Sequence, residues 1–365
     1  MPDKATSMDV EILDVQAVNK KENRSFTAKR IKVHPKRVYG SFRAFKWGMM
    51  AFTLGIYYLT PWLRWDRGAG APDQAVLIDI PGRRFYFFFI ELWPQEVYYL
   101  TGLLVLAGIA LFLVTSLFGR LWCGLGCPQT VWTDLFIWVE RQIEGDRNAR
   151  IKLDRAPWNL SKVAKRIFKY QVWLMISAAT GGAWVFYFTD ASNLARDLWS
   201  FDAHSVVYSS ISILTLTTFV FGGFMREQIC IYMCPWPRIQ AAMMDTNTLS
   251  VSYRSWRGEP RGKMRQTGRG DCIDCLACVN VCPMGIDIRQ GQQMECIACA
   301  LCIDACDDVM AKIGHDRGLV DYLVLADEEV ESAGGQPVSV WKYIFRPRTF
   351  LYALIWSSIG IGMIY

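Results

Sequence analysis

Residues 272–306 read CIDCLACVNVCPMGIDIRQGQQMECIACALCIDAC. Two runs of four cysteines, Cys272, Cys275, Cys278, Cys282 and then Cys296, Cys299, Cys302, Cys306, repeat one spacing of two, two and three intervening residues. That is the spacing of bacterial two-cluster ferredoxins, in which three close thiolates wrap one face of an iron–sulfur cubane and the fourth cysteine reaches the other cubane. The pattern assigns one [4Fe-4S] cluster to Cys272, Cys275, Cys278 and Cys306, and a second to Cys296, Cys299, Cys302 and Cys282. Ala277, Ala298 and Ala300 leave room for backbone amides near inorganic sulfur, and Pro283 turns the chain after the crossing cysteine. Asp307 stands where the second run would carry proline, which alters only the local turn. A pair of zinc sites is the competing reading, but zinc sites typically show two separated C-x2-C pairs.

Outward from this stretch, the remaining four cysteines form two copies of another pattern. FGRLWCGLGCP starts at Phe118 and FMREQICIYMCP at Phe224, each following an apolar run and each carrying an arginine, a C-x3-C pair and a proline. Cysteines four apart share one face of a helix, and Pro128 or Pro235 interrupts the hydrogen-bond ladder beside them. Cys123, Cys127, Cys230 and Cys234 are thus candidates for one shared metal site. Soft thiolates select Cu(I), zinc or iron–sulfur clusters, and Met225, Met233, Met243 or Met244 offer thioethers, although methionine more often fills gaps in packing.

The chain is 52% hydrophobic over 365 residues, high for a soluble protein. Five uncharged runs, Trp47 to Leu63, Val97 to Gly119, Tyr170 to Thr189, Ala203 to Met225 and Thr349 to Tyr365, approach the length that crosses a bilayer. Of 40 Lys and Arg, 11 precede Trp47, 10 lie between Arg120 and Lys169 and 14 between Arg226 and Arg348, leaving 4 in the 64–96 loop and 1 in the 190–202 loop. Because basic loops stay on the cytoplasmic side, the amino terminus and both large loops are expected there and the carboxyl terminus on the other face. All twelve cysteines then lie in a reducing compartment, which favours ligands over disulfides. The first apolar run begins too late, and without a small-residue cleavage pattern, to be a signal peptide.

The expected fold is an all-α bundle of five transmembrane helices, arranged as two parallel helix hairpins (spans one with two, three with four), with a cytoplasmic α+β two-cluster ferredoxin-like insert. The divisions are 1–38, a basic segment read as disordered or in contact with the membrane surface; 39–250, spans one to four with the C-x3-C-P pairs; 251–348, the insert and a connector; and 349–365, span five. Asp327 to Gln336 reads as a flexible connector. The aromatic stretch Val76 to Pro94 reads as lying along the interface, with Asp79 and Glu91 as solvated carboxylates and His204 as an interfacial residue.

The net charge of +6 resides beside spans and carries no nucleic-acid-binding motif, so no nucleic-acid partner is expected. His34, His204 and His315 are the only histidines, and just His204 is near a span, which rules out a bis-histidine haem within it.

Together with RGEPRG at 257–262 and GIDIRQGQQMECIAC from Gly285, these motifs closely resemble the cytochrome c oxidase accessory proteins of the CcoG/FixG type, from about Tyr39 to Tyr365. The resemblance implies a bacterial inner-membrane polyferredoxin that reduces Cu(II) to Cu(I) for assembly of a cbb3-type oxidase. It implies copper held transiently at Cys123, Cys127, Cys230 and Cys234, and as partners oxidase assembly factors, a copper transporter or chaperone and an unidentified electron donor. A homodimer is left open. Family members usually continue into a periplasmic immunoglobulin-like domain, whereas this sequence ends at Tyr365. Two other readings stay open at this point: a quinol- or ferredoxin-linked electron conduit to another respiratory reductase, and a non-catalytic redox sensor or assembly scaffold.

Overall fold

A computed structural model describes residues 32–364 apart from residues 69, 265 and 336–339; residues 1–31 of the basic segment lie outside the described residues. Long helices form on all five apolar runs: Ser41–Leu59, Val97–Phe118, Leu160–Val185, Ser205–Thr218 and Pro347–Ile364. Two of them, taken as Pro94–Phe118 and Ser205–Met233, are long and apolar enough among the described residues to cross a membrane. The starts of Leu160–Val185 and Ser205–Thr218 are set locally. The Asn159 side chain accepts from the Lys162 amide at 2.8 Å, and the His204 ring nitrogen accepts from the Val206 amide at 3.3 Å.

The helix pairing departs in part from the expected hairpins. Leu160–Val185 does pack along Ser205–Thr218, but Val97–Phe118 packs along Pro347–Ile364 and not along Ser41–Leu59. A side chain at Gly102 would meet the Met363 thioether, and the Trp356 indole donates to the Leu106 carbonyl at 3.1 Å. That close approach selects the partner. Ser41–Leu59 instead lies against Leu160–Val185, where the Tyr57 hydroxyl donates to the Thr180 carbonyl at 2.7 Å and Tyr58 meets the Thr180 hydroxyl at 2.8 Å.

Past Thr218 the fourth long helix widens into a π-helical stretch, Phe219–Met225. Gly222 and Gly223 sit there against the stacked rings of Phe136 and Trp173, where an added Cβ would stand 3.0 Å and 2.9 Å from those rings. The glycines let this irregular turn press into the buried cluster of Phe136, Val139 and Trp173.

The ferredoxin-like unit pairs strand Leu249–Tyr253 antiparallel with Val320–Val324 and carries helices Ala277–Val281 and Leu301–Ile313. It is fastened to the long helices at several points. Helix Ser41–Leu59 has no cap of its own at Gly40; the Asp304 carboxylate, 262 residues on, accepts from the Phe42 amide at 3.3 Å and the Arg43 amide at 2.7 Å. Residues 32–38, expected to be disordered or on the membrane surface, form a packed strap. The Lys36 amide donates to the Asn280 carbonyl at 2.7 Å, and Arg141 donates to the Pro35 carbonyl at 3.1 Å.

Two further stretches take regular structure. The aromatic loop folds into a three-stranded antiparallel sheet, Val76–Asp79, Arg84–Phe87 and Ile90–Leu92, with Arg84 paired to Glu91 at 3.1 Å and Asp79 capping the turn at the Gly82 amide. The stretch read as a connector is helical over Leu325–Ser332, where Glu331 pairs with Arg254 at 2.8 Å.

Candidate iron–sulfur and thiol centre

Both cysteine loops in the ferredoxin-like unit hold the same strained backbone. Asp274 and Leu276 in the first loop, and Ala298 and Ala300 in the second, have φ of 53°, 57°, 51° and 59°. These are the second and fourth residues after Cys272 and Cys296. Alternating left- and right-handed residues turn successive amide groups toward one concavity, the nest that receives anionic groups such as inorganic sulfide. Four non-glycine residues in that region are costly unless the surroundings impose it. Ala298 and Ala300 are therefore bent residues as well as small ones, and Ala277 instead opens a helix. Asp274 belongs to a residue type that tolerates the left-handed region, whereas nothing in the residue type of Leu276 signals it.

The eight thiols sort into two groups. Cys306 lies under the electrostatic influence of Cys275 and Cys272, and Cys278 under that of Cys306 and Cys275. Cys282 is influenced by Cys299 and Cys296, and Cys302 by Cys299, Cys296 and Cys282, with Cys278 of the first group acting on it as well. Cys272, Cys278 and Cys306 share a buried core with Ala298 and Ala300, while Cys299 lies in a second core bordered by Cys282 and Cys296, and Cys302 packs against both. Burial pushes the thiols of Cys282 and Cys306 up to about 12 and that of Cys296 to about 11, so each keeps its proton until a cation replaces it. Seven thiols that are buried or half-buried, with Cys275 exposed, together with two nests and the proximity of Cys306 to the first loop and Cys282 to the second, fit a pair of [4Fe-4S] clusters.

The C-x3-C-P pairs do not lie on continuous helix faces. Cys123 sits in the short helix Leu121–Leu125, and Cys127 is an extended residue before Pro128. Cys230 lies in the π-helical turn Ile229–Met233, and Cys234 is again extended before its proline. The cause is steric, since proline drives the preceding residue out of the helical region. The pairs still converge, because Cys123 and Cys230 both lie within the influence of Cys127 and Cys234. Cys123 is buried in the same core as Ile297 and Cys299. Its thiol donates to the Gln240 carbonyl oxygen at 3.1 Å, and Gln240, fully buried, also reaches the Thr115 hydroxyl at 3.4 Å. Burial pushes the Cys123 thiol up to about 12. Met243 is buried, Met225 half-buried and Met233 exposed, and Met244 lies beside Gly119.

Among the described residues no three His, Cys, Asp or Glu side chains are gathered closely enough to grip a single metal ion. A cavity of about 420 Å³ opens against Cys296, with Arg120, Met244, Ser250, Gln292 and Met294 in its wall.

A buried charge network lies beside the thiols. Glu140 pairs with Arg226 at 2.7 Å, with Arg150 and with Lys169 at 3.6 Å; Glu144 pairs with Lys169 at 2.8 Å and Arg166 at 3.0 Å. Burial alone would raise the Glu140 carboxyl, but Arg226 and Arg150 more than offset this and hold it well below the usual carboxylate range.

A family described as a 4Fe-4S dicluster domain matches residues 225–324, and one described as a 4Fe-4S binding domain matches residues 100–144. Protein RdxA of Cereibacter sphaeroides is 62% identical over 92% of this chain and 72% of its own length; RdxB of the same organism is 61% identical over 93% and 72%. The nitrogen fixation protein FixG of Rhizobium meliloti is 56% identical over 99% of this chain and 74% of its own length. No solved structure matches. The crossed cysteine groups, the matching iron–sulfur domains and this extent of identity lead to one conclusion: the chain belongs to the RdxA/FixG family of iron–sulfur electron-transfer proteins.

Proposed function

We propose that this protein is a multi-pass membrane iron–sulfur protein that reduces Cu(II) to Cu(I) at Cys123, Cys127, Cys230 and Cys234, supplying copper for assembly of a cbb3-type oxidase. The observation that carries the reading is the placement of one thiol from each C-x3-C-P pair, Cys123 and Cys230, against the core that holds Ile297 and Cys299. Cys272, Cys275, Cys278 and Cys306 hold one [4Fe-4S] cluster in this account, and Cys282, Cys296, Cys299 and Cys302 the other. Each cluster, when bound, stores one electron from a cytoplasmic donor.

The membrane placement is supported by exposed apolar side chains along all five long helices, among them Phe52, Leu104, Met175, Ile213 and Phe350. It is supported too by the clustering of basic residues at one set of helix ends.

At the thiol site the protein's own groups do three things. Gln240 orients the Cys123 thiol. The buried Cys123 thiol, pushed up by burial, stays protonated until a soft cation arrives, so metal uptake there releases a proton. Sulfur ligation then favours Cu(I) over Cu(II), which prefers nitrogen and oxygen in tetragonal array, and the bound ion becomes easier to reduce. Few sulfurs suffice for Cu(I); a thiol pair therefore serves without the closed site that a structural zinc would need. The balance is Cu(II) plus one electron to Cu(I), with no change in the thiols.

An anaerobic competition titration of Cu(I) against a chromophoric chelator tests the site. The protein should retain Cu(I) that the variant with all four cysteines changed to alanine gives up, at equal iron content. Equal retention by both would remove copper from this site.

A further inference from the structure

A cavity of about 500 Å³ opens between the 32–38 strap, the first turns of helix Ser41–Leu59 and helix Pro128–Glu144. Arg37, Arg43 and Arg141 stand in its wall together with Trp47 and Trp138. The two indoles meet edge to face at 6.3 Å, and the Arg43 guanidinium lies over the Trp47 ring at 4.6 Å. The volume is in the range of small-ligand sites.

The carboxylates near this wall are engaged. Asp134 accepts from the Arg43 Nη1 at 3.0 Å and 2.8 Å and also has Lys46 at 3.7 Å. Asp146 accepts from the Arg37 amide at 2.9 Å and stands 3.9 Å from the Arg141 Nε, beyond hydrogen-bond range. Asp304 is taken up by the Phe42 and Arg43 amides. Donor capacity remains after these contacts. Arg43 is only 5% exposed, yet its Nη2 reaches no acceptor among the described residues, and neither does the enclosed Nε of Arg141. The Arg37 guanidinium lies over the Tyr39 ring at 4.7 Å, with no carboxylate partner among the described residues. Burial first, and then the charge of Arg43, bring the Arg141 guanidinium down to about 10, against the opposing pull of Asp134 and Asp146. Enclosed donors without acceptors are costly, and a phosphate group matches the guanidinium fork in both charge and geometry.

The depth of the cavity suits a lipid. Trp47 opens the first uncharged run, Trp138 is part exposed, and tryptophan marks the headgroup level of a bilayer. Basic pockets at the cytoplasmic ends of spanning helices receive anionic headgroups. We propose that Arg37, Arg43 and Arg141 form a binding site for the phosphodiester headgroup of an anionic phospholipid of the cytoplasmic leaflet. The strap then touches the lipid through Arg37 and the ferredoxin-like unit through the adjacent Lys36, whose amide donates to Asn280, and the unit is held against the bilayer. This rests on the membrane placement proposed above and on neither the clusters nor copper.

The test is native mass spectrometry of the detergent-solubilised holoprotein, titrated with phosphatidylglycerol or with phosphatidylcholine, on wild type, Arg37→Gln, Arg43→Gln, Ala44→Leu and Lys312→Gln. Iron content and melting temperature report whether each variant is folded. Ala44 lies in the cavity wall, so leucine there fills space at unchanged charge. Lys312 is an exposed cation on the ferredoxin-like unit, paired with Asp308. Wild type should retain one phosphatidylglycerol molecule against competing phosphatidylcholine. Arg37→Gln and Arg43→Gln should each weaken that retention roughly fivefold, the scale of one basic residue at a lipid surface. Ala44→Leu should weaken it too, and Lys312→Gln should match wild type. If Arg43→Gln does not fold, Arg37→Gln and Ala44→Leu decide the matter. Equal retention of the two lipids by wild type, or wild-type retention in Arg37→Gln and Ala44→Leu, overturns the proposal. Displacement of the lipid by inorganic phosphate assigns the site to a free anion and overturns it as well. A holoprotein that stays monodisperse without detergent and takes up neither lipid overturns the membrane placement, and this site with it.

Discussion

The backbone of Gly124 lies so close to that of Cys299 that a methyl group on residue 124 would stand 3.1 Å from the Cys299 Cα and 2.6 Å from the Ile297 carbonyl oxygen. The first C-x3-C-P turn and the second cysteine loop are therefore in backbone contact, which joins the thiol site to the ferredoxin-like unit. Only glycine permits this approach, and the neighbours are main-chain atoms that cannot swing aside.

Gly124→Ala should destabilise the protein by about 1–3 kcal/mol, the usual range for overpacking, and perturb one cluster more than the other. Thermal melting and the electron paramagnetic resonance spectrum of the reduced protein check this. Gly182→Ala is the control, because a Cβ there meets nothing within 4 Å. An unchanged melt and spectrum for Gly124→Ala would mean the two segments are not in contact.

Asp304 should act as the remote cap of helix Ser41–Leu59. Asp304→Ala leaves the Phe42 and Arg43 amides without their acceptor and should cost about 1–2 kcal/mol, with iron content maintained. Asp304→Asn should recover part of that. Limited proteolysis after residue 40, read by mass spectrometry, should speed up in the alanine variant; equal cleavage rates would contradict the cap.

Glu140 is the common partner of Arg150, Arg226 and Lys169, all within the protein. Glu140→Gln should cost about 3–5 kcal/mol, because it leaves buried cations uncompensated. Since the folded carboxyl lies below its unfolded value, its contribution is present above about pH 4.5 and is lost as pH falls below that. The difference in melting temperature between wild type and Glu140→Gln should therefore narrow on acidification. A constant difference would deny the carboxylate its role.

His34 shows the other sign of charge and the same direction in pH. Burial, with Arg150 and Lys32 adding to it, pushes the imidazole down to about 3, so the folded protein holds it neutral. Its stabilising contribution is complete above the ordinary value near 6.5 and is lost as pH falls toward 3, at roughly 1.4 kcal/mol per pH unit. Between pH 7.5 and 5.5, wild type should lose more stability in denaturant titrations than His34→Gln; parallel losses would show that this ring does not titrate against folding.

The parts of the molecule legible in the sequence are those fixed by short spacing. The iron–sulfur character of the insert follows from cysteines separated by two, two and three residues, and the five long helices from uncharged runs. The α+β character of the insert was equally legible. Lateral choices were not. Val97–Phe118 takes Pro347–Ile364 as its neighbour through Gly102, Met363 and Trp356, contacts that no periodicity marks. The left-handed Leu276 was hidden because its conformation is imposed by the loop and not by residue type. The hairpin at Val76–Phe87 has a turn signal in Pro81–Gly82. The four remaining cysteines were read as sharing helix faces, an expectation that the prolines after Cys127 and Cys234 defeat.

Stopped-flow mixing of the anaerobically reduced, fully loaded protein with one equivalent of Cu(II) addresses the electron route to the thiols directly. Iron–sulfur absorbance should recover as a Cu(I) chelator signal appears, at matching rates, and both should slow by at least about tenfold, roughly 1.4 kcal/mol in barrier, when Cys123, Cys127, Cys230 and Cys234 are replaced by alanine at unchanged iron content. Equal rates in wild type and the four-cysteine variant would contradict the account.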